Sequence, residues 1–379
     1  MKEFNFPVGY HDFHPVKIID FQLNRWYSWG YTNYEDTLGV SSRIKSLEDW
    51  KPEMIHLAER ALSENRYMNG TFYYRASEFF TLPDDPDKEY LYDKFIELFN
   101  KVFLDDEAIQ RFTVPYENTF LPVIRILSQE TENKGTLIIH GGFDSFIEEF
   151  YSMGTYFSHS GYDVILFEGP GQGAALKKYG LALNHEWEKP AKAILDYFQL
   201  NEVIWLGISM GGWLCFRAAA FEPRIKKVIA SSVAFDYMQI PNHLIQAVAR
   251  FLLKFPKILN YFSNLQMKGD YQERWGVNNL MYITKKNTPY DASQVILKFN
   301  EKNLNSESVK QDVLILSGDE DHFIPLKMHY KQVKALKNAN SVTERIFTRK
   351  EQAQNHCQVG NMGLALEIIH KWIENNPMD

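Results

Sequence analysis

The stretch "EVIWLGISMGGWLCFRAAAF" (202–221) places a serine among glycines where the pattern of the chain changes. The apolar run "EVIWL" is typical of a buried strand, and the small residues after "GISMGG" suit a tightly packed helix. A Gly-x-Ser-x-Gly string between a strand and a helix forms a nucleophile elbow, a strained turn that exposes the serine hydroxyl. Glycine and serine are also common turn residues, so the string alone is a weak signal. Ser209 is therefore a candidate nucleophile whose partners the rest of the chain must supply.

The chain around this elbow has the pattern of an α/β domain. Short apolar or β-rich runs alternate with glycine-rich turns and helical segments, as in a mostly parallel sheet flanked by helices. Two of the runs, 111–116 and 121–127, are predicted to pair as a hairpin at one edge. The other predicted strands are "GTLIIH" (135–140), "YDVILFE" (162–168), "EVIWLG" (202–207), "KKVIASS" (226–232), "DVLILSG" (312–318) and "SVTERIF" (341–347).

Two further regions are predicted to be helical. Residues 1–108 are interpreted as a helical N-terminal cap domain, because a capping box at Ser46 and Asp49 and two apolar periodicities lie between 46 and 103. Residues 109–379 form the α/β domain, and its segment at about 237–308 is too long for a simple crossover, so we expect inserted helices there. The aromatic run "RWYSWGYTNY" (25–34) favours core packing over contact with a ligand.

The partners that a serine nucleophile needs occur in the expected order. Serine requires a histidine base, and the histidine requires a carboxylate that holds its tautomer. Asp321 follows the strand "DVLILSG", and His356 lies in "QNHCQVGN" between the last predicted strand and the terminal helix. The neighbouring Asp319 and Glu320, and Asp236 after an earlier strand, are rival carboxylates. The sequence favours Ser209, Asp321 and His356 as the catalytic residues.

Acyl transfer also needs N–H donors for the developing oxyanion. The N–H of Met210, directly after the serine, is one candidate. The loop "HGGFDSF" (140–146), after an early strand, supplies a second from Gly142 or Phe143, and the sequence does not decide between them. The glycine-rich "EGPGQG" (168–173) lacks the lysine and spacing of nucleotide-binding loops. No HExxH motif or Cys/His cluster is present, so we expect neither a cofactor nor a metal.

Composition narrows the class of partner. The chain has 379 residues, a formal net charge of −7 and no run of lysine and arginine, which argues against binding to nucleic acid or an anionic membrane. No apolar run reaches the length of a membrane span, and the N-terminal residues lack a secretory pattern, so we expect a cytoplasmic protein. The two cysteines, Cys215 and Cys357, are expected to be reduced thiols.

Taken together, "HGGFDSFIEE", "EGPGQG", "GISMGG", the acid loop at Asp321 and "HCQVGN" resemble one group of α/β-hydrolases. This is the group of 2,6-dihydroxypseudooxynicotine hydrolase and the polyketide-shortening hydrolases, with the fermentation-respiration switch protein as a more distant relative. The resemblance implies an α/β-hydrolase fold with helices over the active site, and often a homodimer. It also implies that Ser209, Asp321 and His356 form the triad.

The resemblance further implies hydrolysis of a carbon–carbon bond next to a carbonyl, in a polyketide or an aromatic diketone. A carboxylesterase acting on an aromatic ester would use the same triad and oxyanion donors. A regulatory binding protein could retain the fold without turnover, but the intact set of catalytic residues argues against it. We expect a small-molecule substrate, and the sequence contains no motif that identifies it.

Overall fold

The computed structural model describes residues 3–103 and 107–376, whose centre is an eight-stranded sheet with the order β1-β2-β4-β3-β5-β6-β7-β8. Only β1 and β2 are antiparallel to their neighbours, and all the other pairings are parallel. This confirms the predicted α/β fold, its mostly parallel sheet and its edge hairpin. The strands are β1 Ile109–Tyr116, β2 Thr119–Ile126, β3 Thr136–His140, β4 Asp163–Phe167, β5 Val203–Ile208, β6 Ile225–Ser231, β7 Asp312–Gly318 and β8 Ser341–Phe347.

The apolar runs became strands because the sheet is covered on both faces. Every residue of β4 and β5 is buried, as expected for central parallel strands between helices. At the outer edge, β8 carries exposed polar residues and has only one neighbouring strand. The carboxyl ends of the parallel strands meet at one edge, which is where ligands bind in open α/β sheets.

Helices flank the sheet and precede it. In the part of the chain that the structure describes, five α-helices come before β1, and five more lie between β6 and β7, where inserted helices are expected. Among the described residues, no helix is both long enough and apolar enough to cross a bilayer. The helices are α1 Lys17–Ser28, α2 Tyr34–Ser41, α3 Leu47–Ser63, α4 Tyr67–Phe79, α5 Asp87–Phe103, α6 Tyr151–His159, α7 Gly173–Lys177, α8 Glu188–Tyr197, α9 Met210–Phe221, α10 His243–Leu252, α11 Pro256–Gly269, α12 Tyr271–Thr284, α13 Pro289–Ile296, α14 Glu301–Leu304, α15 Lys327–Ala335 and α16 Met362–Asn375.

The apolar periodicity of the sequence predicts some of the N-terminal helices and misses others. Helix α3 begins after the predicted capping box, in which Ser46 and Asp49 bond reciprocally. Helix α4 gave no periodic signal because all its residues from Gly70 to Phe79 are buried. A helix surrounded by protein has no polar face to contrast with its apolar one.

The N-terminal helices and the sheet share one apolar core. Trp26 and Tyr31 are buried in it, as core packing of the early aromatic run predicts. The Tyr31 ring stacks on Phe72 of α4 with centroids 3.5 Å apart, and its hydroxyl donates to the carbonyl of Glu149, 2.8 Å away. The helices before β1 are therefore part of the same packed interior. Their description as a separate domain ending at residue 108 stays a prediction.

A buried set of charges joins these helices to the loop that follows β3. The fully buried guanidinium of Arg75, on α4, donates to the carboxylates of Glu78 and Glu149 and to the carbonyl of Asp144, the last at 2.9 Å. Arg25, on α1, contacts the other oxygen of Glu149. Because unpaired charges are costly to bury, these contacts require α1, α4 and the loop to keep one relative position.

We expect Arg75→Leu to destabilise the protein strongly, because it removes a buried cation that pairs with the buried carboxylates of both Glu78 and Glu149. Removing one member of a buried ionic group typically costs about 3–5 kcal/mol of unfolding free energy. Urea unfolding followed by circular dichroism measures the loss. Arg43→Leu, which breaks the exposed pair with Glu53, is the control and should cost about 1 kcal/mol or less. Equal effects of the two changes would contradict the structural role of Arg75.

Candidate active site

Ser209 lies in a strained turn between β5 and α9. Its φ of 63° and ψ of −123° are unusual for a residue with a side chain, and they direct the hydroxyl away from the strand. The turn is held by the N–H of Ser209, which donates to the carbonyl of Ser231, 2.9 Å away. A Cβ at Gly207 would lie only 2.0 Å from the carbonyl oxygen of Gly211, so a glycine is required there. The predicted elbow geometry is therefore present.

Three loops at the carboxyl edge of the sheet bring the predicted site residues together. His356 Nε2 lies 2.8 Å from Ser209 Oγ, and His356 Nδ1 lies 2.7 Å from Asp321 Oδ2. Ser209 follows β5, Asp321 follows β7 and His356 follows β8. The result is a continuous hydrogen-bonded line of hydroxyl, imidazole and carboxylate, which is the arrangement of a catalytic triad.

Asp321 is the carboxylate of this line. Its Oδ1 accepts from the N–H groups of Phe323 and Ile324, at 2.9 and 2.8 Å, and its Oδ2 accepts from the Ser232 hydroxyl at 3.1 Å. Burial works to raise the pKa of Asp321, but the charge and hydrogen bond of His356 and these two N–H groups hold it below its usual value. Asp321 is therefore ionised.

The rival carboxylates have other partners or positions. Glu320 forms an ion pair with Arg349, and Asp236 accepts from the N–H of Met238 at 2.9 Å. Of the four candidates raised by the sequence, Asp321 is the one in contact with His356.

The ionised carboxylate fixes the tautomer of His356. Asp321 can only accept, so Nδ1 of His356 carries the proton that it donates, and Nε2 of the neutral ring accepts from the Ser209 hydroxyl. Burial alone would lower the pKa of His356, but the adjacent Asp321 carboxylate outweighs it and raises the pKa above that of an ordinary histidine. The ring is thus oriented to take a proton from Ser209 and is basic enough to hold it.

The two predicted oxyanion segments meet beside the serine. Met210 is the first residue of α9, and N–H groups in the first turn of a helix have no acceptor within it. Gly142 packs directly on this residue, because a Cβ at Gly142 would lie 2.4 Å from Cβ and 2.7 Å from N of Met210. Phe143 is next in the loop and lines a cavity that Ser209 and Met210 also border. Both early-loop candidates, Gly142 and Phe143, therefore stay open.

The "EGPGQG" segment supports this loop, a role that sequence reasoning missed. The Gln172 amide donates to the carbonyls of Gly141 and Gly142, at 2.8 and 3.1 Å. Glu168 accepts from the N–H groups of Ile147 and Ala174, at 3.1 and 2.6 Å. These bonds connect the segment before α7 to both ends of the "HGGFDSF" loop. The sequence did contain a signal for this role, because Glu168 and Gln172 are polar residues that closely follow a continuous apolar run.

A cavity of about 370 Å³ opens at Ser209 and is lined mainly by apolar side chains. Helix α1 contributes Gln22 and Arg25, which the sequence did not single out because polar residues within a helix are most often solvent-exposed. Among the described residues of the lining, Arg25 is the only lysine or arginine. Aromatic residues dominate the remaining wall and come from every part of the chain, namely Phe21, Trp29, Phe79, Phe143, Phe150, Tyr237, Trp275 and Phe323.

The helices between β6 and β7 meet the N-terminal helices at this cavity. Trp275 of α12 donates its indole N–H to the carbonyl of Phe79, 2.9 Å away, and both rings line the cavity. A separate depression of about 490 Å³ lies at Glu202, Phe221 and Gln311, near the amino ends of the parallel strands. It contains none of the predicted site residues. Within the described ranges, no three histidine, cysteine or acidic side chains are grouped as a metal site would need.

Comparison with known proteins agrees with this architecture. Residues 137–265 match the model of the α/β-hydrolase fold family. Hydrolase acrC of Aspergillus aculeatus is 26% identical over 358 residues, which cover 85% of this chain and 83% of that protein. The 20-hydroxy-prefusarin hydrolase FUS2 of Gibberella moniliformis is 26% identical over 283 residues, covering 68% of this chain and 67% of that protein.

Among solved structures, that of 2,6-dihydroxy-pseudo-oxynicotine hydrolase superposes with a TM-score of 0.67 at 18% identity, covering 94% of this chain and 97% of the other. This likeness extends over the N-terminal helices as well as the sheet. With the sheet order, the elbow and the matched family model, it shows that the chain has the α/β-hydrolase fold.

Proposed function

We propose that the chain is a serine hydrolase that cleaves a carbon–carbon bond next to a carbonyl, in a polyketide or an aromatic diketone. The observation that carries the proposal is the 2.8 Å contact between Ser209 Oγ and His356 Nε2 at the edge of an aromatic-lined cavity. The motifs shared with the polyketide-shortening hydrolases support the choice of bond. The names of the relatives support hydrolysis of a small molecule, since one of them acts, by its name, on 20-hydroxy-prefusarin.

In the proposed reaction, Ser209 attacks the carbonyl carbon while His356 takes the hydroxyl proton. The charge that develops on the carbonyl oxygen is stabilised by the N–H of Met210 and by one from Gly142 or Phe143. Asp321 stabilises the imidazolium that forms and keeps the ring oriented. In the neutral form of His356, the hydrogen bonds already have the direction that this proton transfer requires.

The next step breaks the carbon–carbon bond. Its electron pair leaves with the departing carbon as an enolate, because a second carbonyl or an electron-rich ring delocalises the charge. His356 then returns its proton to that carbon, and the acyl group stays on Ser209. Water, deprotonated by His356, attacks the acyl-serine and releases a carboxylic acid. Arg25 is the cation of the cavity wall that can stabilise the enolate before it is protonated.

The enclosure of the site supports an apolar substrate. The N-terminal helices (1–108) and the insertion (about 237–308) act in this proposal as covers over the α/β domain (109–379). The hydrogen bond from Trp275 to Phe79 is one point at which they meet. The resemblance also leads us to propose a homodimer that acts in the cytoplasm.

We expect Ser209→Ala and His356→Ala each to abolish turnover without loss of fold, and the double variant to be no slower than either single one. Residues that act as a unit give losses that do not add. The rates are measured on one activated ester and one diketone, with thermal unfolding as the check on folding. Near-normal turnover by Ser209→Ala would reject the proposed nucleophile.

The pH dependence tests Asp321. Because catalysis needs a neutral His356, kcat/KM should rise with pH as this group loses its proton, with a midpoint above the 6.5 of an ordinary histidine. Asp321→Asn removes the charge that raises this pKa, so it should move the midpoint to lower pH and reduce the rate on the order of 10⁴-fold. Asp236→Asn serves as the matched control. A larger loss from the control would mean that the wrong carboxylate has been assigned.

The packing of Gly142 on Met210 tests the oxyanion site. Gly142→Ala would place a methyl group 2.7 Å from the N of Met210, so the two loops must separate. Losing one oxyanion donor typically lowers kcat by about 10²- to 10³-fold. Gly269→Ala, whose Cβ would meet nothing within 4 Å, is the control and should retain full activity. If Gly142→Ala retained full activity, the result would contradict an oxyanion site between the Gly142 loop and Met210.

The reaction itself distinguishes the proposal from its alternatives. We expect slow turnover of small activated esters and faster release of a carboxylic acid from an extended 1,3-diketone, both followed by mass spectrometry. Trapping an acyl group on Ser209 with the diketone would establish covalent attack. Efficient ester turnover with no cleavage of any diketone or acyl phenol would favour the carboxylesterase. No turnover of either would favour the binding protein.

A further inference from the structure

Helices α10 and α11 expose the apolar side of their sequence. Leu244, Ile245, Val248 and Phe251 of α10 are each more than half exposed, whereas its one buried residue is the polar Gln246. The Gln246 amide donates to the backbone carbonyl of Pro241, 2.9 Å away, and so holds the helix with its polar side inward. The segment is helical, as expected for the insertion, and its apolar side faces outward.

Helix α11 continues the same surface. Ile258, Tyr261, Phe262 and Leu265 follow helical spacing and are exposed, and α11 has no buried residue. Nine of the twenty large apolar side chains that are exposed among the described residues lie between 244 and 265. An apolar face of this extent marks an interaction site rather than ordinary surface. We call it the α10–α11 face.

The charge around this face differs from that of the whole protein. Residues 237–269 contain Arg250, Lys254, Lys257 and Lys268 and no aspartate or glutamate, although the chain carries a net charge of −7. All four side chains are exposed, and none pairs with a carboxylate of the described residues. Two consecutive helices with an exposed apolar side and basic residues are typical of segments that lie in a membrane interface.

We propose that the α10–α11 face docks on an anionic lipid surface. The apolar side chains enter the boundary between headgroups and acyl chains, and the four cations contact the headgroups. A second copy of the chain fits this face less well, because a two-fold contact sets the same basic patch against itself, and the patch has no acidic residue to pair with the cations of the other copy. From the net charge of the whole protein we expected no membrane partner. The charge of this face is positive, so that expectation does not hold for it.

The position of the face gives the docking a consequence. The chain leaves the cavity wall at Ile240, passes through α10 and α11, and returns to the wall at Trp275. Docking would therefore set lipid beside segments that line the cavity, so that an apolar compound dissolved in the bilayer is close to its entrance. The proposal is independent of the hydrolytic reaction, and Ser209→Ala should bind lipid as the unaltered protein does.

Vesicle sedimentation tests the proposal with the full-length protein. We expect binding to vesicles of phosphatidylcholine mixed with phosphatidylglycerol, weaker binding to phosphatidylcholine alone, and loss of binding at high salt. The triple variant R250Q/K254Q/K257Q should reduce the affinity on the order of 10- to 100-fold. The control K45Q/K302Q/K334Q removes three exposed lysines elsewhere and should leave the affinity unchanged.

The apolar contribution has its own matched pair. V248S/F251S should weaken binding at least as strongly as the charge variant, and L38S/F120S, which changes exposed apolar residues elsewhere, should not. Circular dichroism establishes that each variant is folded. No binding by the unaltered protein, or equal losses from the test and control variants, would overturn the proposal. So would dissociation of a dimer by V248S/F251S with vesicle binding intact, because the face would then be a subunit interface.

Discussion

The buried guanidinium of Arg75 is the contact on which the arrangement of this molecule depends. It satisfies Glu78 on its own helix, Glu149 beyond β3 and the carbonyl of Asp144 in the "HGGFDSF" loop. A charge without solvent needs all its partners in place, so the N-terminal helices cannot shift without disturbing the loop beside Ser209. The candidate oxyanion loop is thereby fixed by a part of the chain that supplies none of the three candidate catalytic residues.

The loop is held from its other side by a different kind of bond. The Gln172 amide donates to the carbonyls of Gly141 and Gly142, and the Asn279 amide donates to the carboxylate of Asp144 at 2.9 Å. Helices before the sheet, a turn after β4 and a helix inserted before β7 thus all position one short segment. Such support keeps polar groups fixed where charge would develop, which is what electrostatic stabilisation of an oxyanion requires.

The segment inserted between β6 and β7 has one part that packs over the cavity and another that is exposed to solvent. At Phe79 and Trp275 the covering helices join through an indole hydrogen bond and ring contact, with centroids 5.3 Å apart. In α11, the helix that precedes the helix of Trp275, the apolar residues are exposed. One inserted segment therefore both closes the cavity and presents an apolar, basic face. That combination is consistent with an enzyme whose substrate partitions into lipid.

The sequence by itself determined the elements whose environment is uniform along the chain. Continuous apolar runs predicted the parallel strands, and the positions of Ser209, Asp321 and His356 after three of these strands predicted a site, because parallel strands end at one edge. Helix α4 and the roles of Arg25, Arg75 and Gln172 were beyond its reach. Each of these roles depends on a partner 30 or more residues distant in the chain, and α4 is buried from Gly70 to Phe79. The outward orientation of α10 also came from the tertiary structure: periodicity shows that a helix has an apolar side, and only the packing of its neighbours decides which way that side faces.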